Sequence, residues 1–133
     1  MVMINPNYTH SELTSKIIGC AMKVHRALGN GFLEVVYQNC LAIEMRANGI
    51  VFEREKGISI FYMGELVGTR RADFLIEGKV CVELKAVKQI DNAHIAQTIN
   101  YLEAHNIEIG LLINFGAISL EFKRVRNGKF MHS

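Results

Sequence analysis

The sequence predicts an α/β domain built on one mixed β-sheet, and three observations carry that prediction. In the first third, apolar residues recur at three- and four-residue steps, the spacing of one helix face. In the middle and at the end, short apolar runs are separated by glycine-containing turns, as strands are. A further helical segment divides those runs, so the order reads helix, helix, strands, helix, strand, strand. A helix inserted between two strands is the usual means of placing them in parallel, hence a mixed sheet.

Residues 1–9 contain the only proline, Pro6, and are expected as a loose lead-in; residues 10–133 are expected as a single domain. Thr9 and Glu12 have capping-box spacing at the head of the first helix. Leu13, Ile17, Cys20, Val24 and Leu28 form its apolar stripe, and Gly29 and Gly31 end it. His25 and Arg26 suit the negative end of its dipole. A second helix is expected over 33–48, closed by Gly49, with Val36, Cys40, Ile43 and Ala47 on its apolar stripe. "GISIFY" reads as a short strand, and Met63-Gly64-Glu65 turns into a long one over 66–76. Glu77-Gly78-Lys79 turns again into a strand over 80–87. Asp91 or Asn92 can cap a third helix running to about His105. "IEIGLLINF" is apolar throughout, as a strand buried on both faces must be, and "LEFKRVR" alternates like an edge strand.

With 133 residues, half of them hydrophobic, one core is the natural outcome. The mean hydropathy of +0.15 leaves apolar surface that a second subunit could cover, as in a homodimer. A net charge of +2 excludes a polybasic tail, so any contact with nucleic acid must come from a local patch. The three cysteines, Cys20, Cys40 and Cys81, lie in apolar segments and form no CxxC pair, which argues for free thiols in a reducing cytoplasm and against a zinc site. No apolar run reaches the ~18 residues of a membrane span, and the N-terminus lacks the layout of a signal peptide.

Charges interrupt the hairpin "RRADFLIEGKVCVELKA". A three-residue loop at 77–79 makes Ile76 face Val80, and Asp73 then faces Glu83 directly, with Cβ atoms about 4.5–5.5 Å apart. Ala72, Phe74, Ile76, Val80, Val82, Leu84 and Ala86 fall on one face, and Asp73, Glu83 and Lys85 on the other. Two adjacent carboxylates repel unless a positive group lies between them. Spacing alone leaves two readings. One is an ion cluster, Asp73 with Arg71 and Glu83 with Lys85. The other is a divalent-cation site with a lysine beside it, suited to phosphodiester cleavage.

The pattern Asp73…Glu83-Leu84-Lys85 resembles the signature of the PD-(D/E)xK nuclease superfamily. "GFLEVVYQ" resembles the motif of the GxxExxY protein family through Gly31, Glu34 and Tyr37, and "VHRALGNGFLE", "HIAQTINYL" and "GLLINFG" resemble its other segments. The resemblance spans most of residues 14–126. It implies a restriction-endonuclease-like three-layer core, a central mixed sheet flanked by helices, and a Mg2+- or Mn2+-dependent nuclease. On that reading Asp73, Glu83, the Leu84 carbonyl and Glu34 hold the metal, Lys85 orients or activates water, and Gln97 supports the lysine or the substrate. Ala72 stands where the superfamily pattern has proline, a loss that touches backbone shape and no metal ligand.

Other residues have two readings each. Glu34 suits the positive end of its helix even without a metal, at roughly 0.3–1 kcal/mol. Tyr37, one turn on, either lines the cleft or packs in the core. His94, Gln97 and Tyr101 form a polar-aromatic stripe that either meets substrate or is an exposed helix face. Arg70 and Arg71 are the expected phosphate contacts, and Lys123, Arg124, Arg126 and Lys129 serve either a nucleic-acid backbone or the protection of an edge strand. The partner expected is nucleic acid, DNA ahead of RNA. The alternative is a binding module, homo-oligomeric and without catalysis, that keeps the nuclease fold.

Overall fold

A computed structural model describes residues 8–132; most of the expected lead-in lies outside them. Three helices, α1 (Ser11–Leu28), α2 (Glu34–Ala47) and α3 (Asn92–His105), accompany five strands. The strands are β1 (Phe52–Tyr62), β2 (Glu65–Ile76), β3 (Val80–Lys85), β4 (Ile109–Asn114) and β5 (Glu121–Arg126). Their order in the sheet is β1-β2-β3-β4-β5, antiparallel except where β3 and β4 run parallel. The α3 crossover makes that parallel pair possible. No described helix is long and apolar enough to cross a membrane.

Each face of the sheet has its own core. Ile17, Ala21 and Val24 of α1 and Tyr37, Leu41 and Met45 of α2 pack on Phe74, Val82, Leu84, Leu111 and Ile113. On the opposite face Tyr101 and Leu102 of α3 pack on Leu75, Cys81 and Val125. The strand β4 is buried along its whole length, as its unbroken apolar run requires.

Several elements depart from their expected form. The Thr9–Glu12 capping box is not made: His10 is the N-cap, in a left-handed conformation, and its side chain caps nothing. Thr14 Oγ1 instead donates to the carbonyls of His10 and Ser11. The buried face of α2 runs through Tyr37, Leu41 and Met45, with Gln38 and Ala42, whereas Ile43 is 58% exposed. Both faces of α2 carry apolar residues, and the choice falls to Tyr37, whose ring stacks on Phe115 at 4.6 Å. Such a pair adds about 0.5–1.5 kcal/mol to its area burial. The strand β1 begins five residues earlier than "GISIFY", because "FEREK" pairs with β2 despite its charges.

The β2–β3 turn has the expected register, with Ile76 opposite Val80 and Phe74 opposite Val82, and Glu77 and Gly78 in left-handed conformations. Pairing then stops. Ala72 lies in the α3-side core with Leu75 and Cys81, not beside Phe74 as strict alternation requires. The pleat therefore breaks at Asp73. The partner strand breaks at the same level: Arg54 faces Phe74 and Lys56 faces Ala72, while Glu55 between them has φ 51.

Beyond β3, Lys85 is held on both sides. Its carbonyl accepts from Phe115 N–H at 2.8 Å. Asn114, fully buried, accepts from Val87 N–H and Gly116 N–H and donates to Glu121, which also accepts from Ile90 N–H. This network fixes the segment between Lys85 and α3. Gly116 sits so close to it that a Cβ would strike the backbone of Val87 and Ala86. Gly116→Ala is expected to destabilise the fold by about 1–3 kcal/mol, read from the urea midpoint, since backbone cannot give way as a side-chain tip can. An unchanged midpoint would show that the 86–91 segment is free to shift.

Candidate active site

The site forms where the β2–β3 ladder stops. Asp73 replaces the missing backbone partner: its Oδ2 accepts from Leu84 N–H at 2.7 Å. Its Oδ1 accepts from Gln38 Nε2 at 2.7 Å. Gln38 Oε1 in turn accepts from Arg54 Nη2 at 2.6 Å, and the same Nη2 donates to Asn39 at 2.7 Å. The Arg54 guanidinium lies 5.8 Å from the centre of the Phe74 ring. A cation at one end and a carboxylate at the other fix which way the Gln38 amide points. Hydrogen bonds to a charged partner contribute about 1.5–3 kcal/mol each, enough to hold Asp73 in one orientation.

Glu83 is 6% exposed on the α3 side of the sheet. Burial first, then the charge of Asp73, push its carboxyl up to about 8, against the pull of Arg70 and Lys85. Glu83 Oε1 has no hydrogen-bond partner. Arg70 Nη2 stands 3.5 Å from it, an ionic contact without hydrogen-bond geometry, because Nη1 of the same side chain is committed to the Gln97 carbonyl at 2.6 Å.

Glu34 is the first residue of α2 and lines a cleft of about 270 Å³ together with Val35, Gln38, Glu55 and Asp73. Partial desolvation and then Asp73 raise its carboxyl, while Lys85 and His94 lower it, so all four groups lie within electrostatic reach. His94 sits in the first turn of α3, where its Nδ1 accepts from Asp91 N–H and Asp91 caps the helix in return.

Several expected site residues have other duties. Tyr37 is fully buried; its hydroxyl donates to the Gly29 carbonyl at 2.6 Å and accepts from Phe32 N–H, pinning the α1–α2 loop and thereby the start of α2. Tyr101 is buried, and its hydroxyl donates to the Lys56 carbonyl. Neither hydroxyl is free to meet a substrate. The stripe expected through His94, Gln97 and Tyr101 is split, since Gln97 is exposed and meets the site only through its backbone carbonyl. Arg70 is Glu83's counter-ion, and Arg71 is exposed on the ribbon. Leu84 enters through its amide N–H.

Three participants escape the sequence reading. Gln38 stands one helical turn from Glu34, and that i, i+4 relation is the signal that finds it. Arg54 and Glu55 lie in the stretch whose charges mask its strand character.

A sequence profile of the PD-(D/E)XK nuclease superfamily matches residues 11–125. The chain belongs to the PD-(D/E)XK nuclease superfamily. No curated protein sequence matches it. Among solved structures, one described as "Crystal structure of SSO0001" is similar in fold, with a TM-score of 0.58 at 19% identity over 88% of the chain. The chain spans 59% of that protein's length. Superfamily membership accounts for the mixed sheet with helices on both faces.

The fit of a divalent cation can be tested on the side chains themselves. The charge of Asp73 pushes the Glu83 carboxyl up, and one Glu83 oxygen is buried without a hydrogen-bond partner, so the pair has room for more positive charge than Arg70 supplies. Among the described residues no three His, Cys, Asp or Glu side chains gather as a metal cluster, which leaves Glu34 outside the innermost set. Asp73 and Glu83 thus fit a hard cation that keeps water or phosphate oxygens in its remaining positions.

Because the folded-state value of Glu83 lies above its ordinary 4.5, the native protein holds a proton there that the unfolded chain has lost. That contribution is full below about 4.5 and vanishes as pH rises through about 8. In chelator, wild-type stability is expected to fall across this window relative to Glu83→Gln, with each kcal/mol worth about 4 °C of melting temperature. Parallel melting curves for the two proteins would refute the assignment.

Proposed function

We propose that the chain is a divalent-metal-dependent nuclease acting on nucleic acid, with DNA the preferred substrate and Mg2+ or Mn2+ the cofactor. The observation that supports this most directly is the buried Glu83 carboxyl, which is pushed up by burial and by the charge of neighbouring Asp73 and leaves its Oε1 unpartnered. Asp73 and Glu83 are the residues to hold the cation, which when bound would polarise a phosphodiester and lower the cost of forming hydroxide. Gln38 and Leu84 N–H hold Asp73 in place. Lys85, half-buried at the end of β3 and within reach of both Glu83 and Glu34, positions water and balances charge on the phosphate. Glu34 completes the acidic rim from α2 through water. Arg71, exposed beside the site, is the phosphate contact, while Arg70 serves Glu83.

The same reading takes residues 10–133 as one catalytic unit and, with its three free cysteines, the cytoplasm as its compartment. A module that binds without cleaving is the second reading. One observation favours it: each oxygen of Asp73 already accepts a hydrogen bond from the protein.

A cleavage panel on single- and double-stranded DNA and RNA, with Mg2+ and with Mn2+, separates the two. Wild type is expected to cut at least one substrate, with Asp73→Ala and Lys85→Ala each slower by about 10²-fold or more while remaining folded. Equal activity in all three proteins would point to a contaminant and end the nuclease reading. The cation is also expected to raise the wild-type melting temperature and leave that of Asp73→Ala unmoved. A shift without cleavage on any substrate would favour the binding module.

A further inference from the structure

The β1–β2 hairpin is longer than the sheet that carries it. The two strands pair from Phe52–Ile76 to Tyr62–Glu65, but β2 meets β3 only through Phe74, Leu75 and Ile76. At its base the ribbon is tied to α3, through Arg70 on the Gln97 carbonyl and Tyr101 on the Lys56 carbonyl. From Ser59 to Thr69 every residue is exposed except half-buried Gly68. A two-stranded ribbon standing alone in water is marginally stable, so this one calls for a covering partner.

The tip is apolar. Phe61 is 63% exposed, Tyr62 68%, Met63 85%, Leu66 59% and Val67 60%, with Ile60 beside them. Side chains alternate along each strand, so Phe61 and Leu66 share one face of the ribbon and Ile60 and Tyr62 the other; over both faces and the turn they leave about 700 Å² open, taking large side chains at about 150–250 Å² each. A standard interface takes about 800 Å² from each partner. Glu65 is the sole charge between Ile58 and Thr69. A surface without a cation has nothing to offer a phosphate backbone or an anionic lipid headgroup, so the partner is a protein with an apolar face of similar size.

We propose that this partner is a second copy of the chain, and that the two close a homodimer through their hairpin tips. The two faces of the tip, taken together, supply nearly the area that each half of a dimer needs. β1 is the edge strand of the sheet, with a free row of amides and carbonyls, and antiparallel pairing of one strand with its own copy obeys a two-fold axis by construction. The strand also contains its own limit. The register slips between Ile60 and Phe61, and the base carries Glu53, Arg54, left-handed Glu55 and Lys56. Charge and irregular backbone keep further copies from adding there, so association stops at two.

The test needs no metal and no nucleic acid, so its outcome is separate from that of the nuclease reading. Sedimentation equilibrium across a wide concentration range should give twice the mass of one chain. Phe61→Thr with Leu66→Thr replaces two exposed, facing residues with good strand formers, so the cores are untouched. It is expected to weaken association at least ten-fold. In wild type, amide hydrogen exchange over 59–69 should slow as concentration rises. A wild type that keeps the mass of one chain, a double variant as dimeric as wild type, or exchange over 59–69 indifferent to concentration would each overturn the proposal. Binding of the tip to zwitterionic vesicles by a single-chain wild type would do so as well.

Discussion

One hydrogen bond organises this protein: Asp73 Oδ2 accepting from Leu84 N–H. In a regular hairpin that amide would face a backbone group of β2. Here a side chain takes it, and the strand can no longer keep its pleat. Ala72 turns to the α3 side while Phe74 stays on the α1–α2 side. The exchange costs little in hydrogen-bond count, since a carboxylate is at least as good an acceptor as a carbonyl. What it gains is position. A charged group that would sit in the plane of a sheet face is drawn to the level where β2, β3 and the head of α2 converge.

The electrostatics follow from that placement. Asp73 is satisfied by neutral donors, Gln38 and the Leu84 amide, and makes no ion pair. Glu83 is then left to face an anion in a site from which water is largely excluded. Arg70 is the nearest cation, yet the Gln97 carbonyl holds its other nitrogen and keeps it at 3.5 Å. A well-made Arg–Glu pair would have settled the charge of the site permanently. The half-made one leaves it unsettled. Gln38 serves the same end from the other side, because a lysine or arginine there would neutralise Asp73 outright.

Much of this was legible in residue spacing, and the failures share a cause. The three-residue turn at 77–79 set the register as far as Phe74 opposite Val82; the expected Asp73–Glu83 pairing beyond it is not made, because the Asp73 side chain takes the Leu84 amide. The buried strand β4 and the Asp91 cap followed from local chemistry. The inner face of α2 did not, because Tyr37 and Val36 are equally apolar by type; stacking on Phe115, far along the chain, decides between them. Strict alternation also failed at Ala72, where a side chain displaced a backbone partner, and no period-two rule contains that event. Tyr37 and Tyr101 carry hydroxyls that suggest contact with a ligand, but each serves a carbonyl of its own chain. Arg54 and Glu55 were hidden by the charges that make them useful.

The ladder break that makes the site also frees the ribbon. Had β2 stayed paired with β3 past Phe74, the hairpin would have lain within the sheet, and Asp73 would have been one more residue on its face. Because pairing ends there, β2 continues with β1 alone, beyond the end of its ladder with β3. Arg70 and Asp73 stand three residues apart on β2, one beside the site and the other within it. Whatever grips the ribbon tip therefore holds a two-stranded ribbon whose base includes the counter-ion of Glu83. Site and surface are thus consequences of one irregularity, placed where a strand gives up its partner.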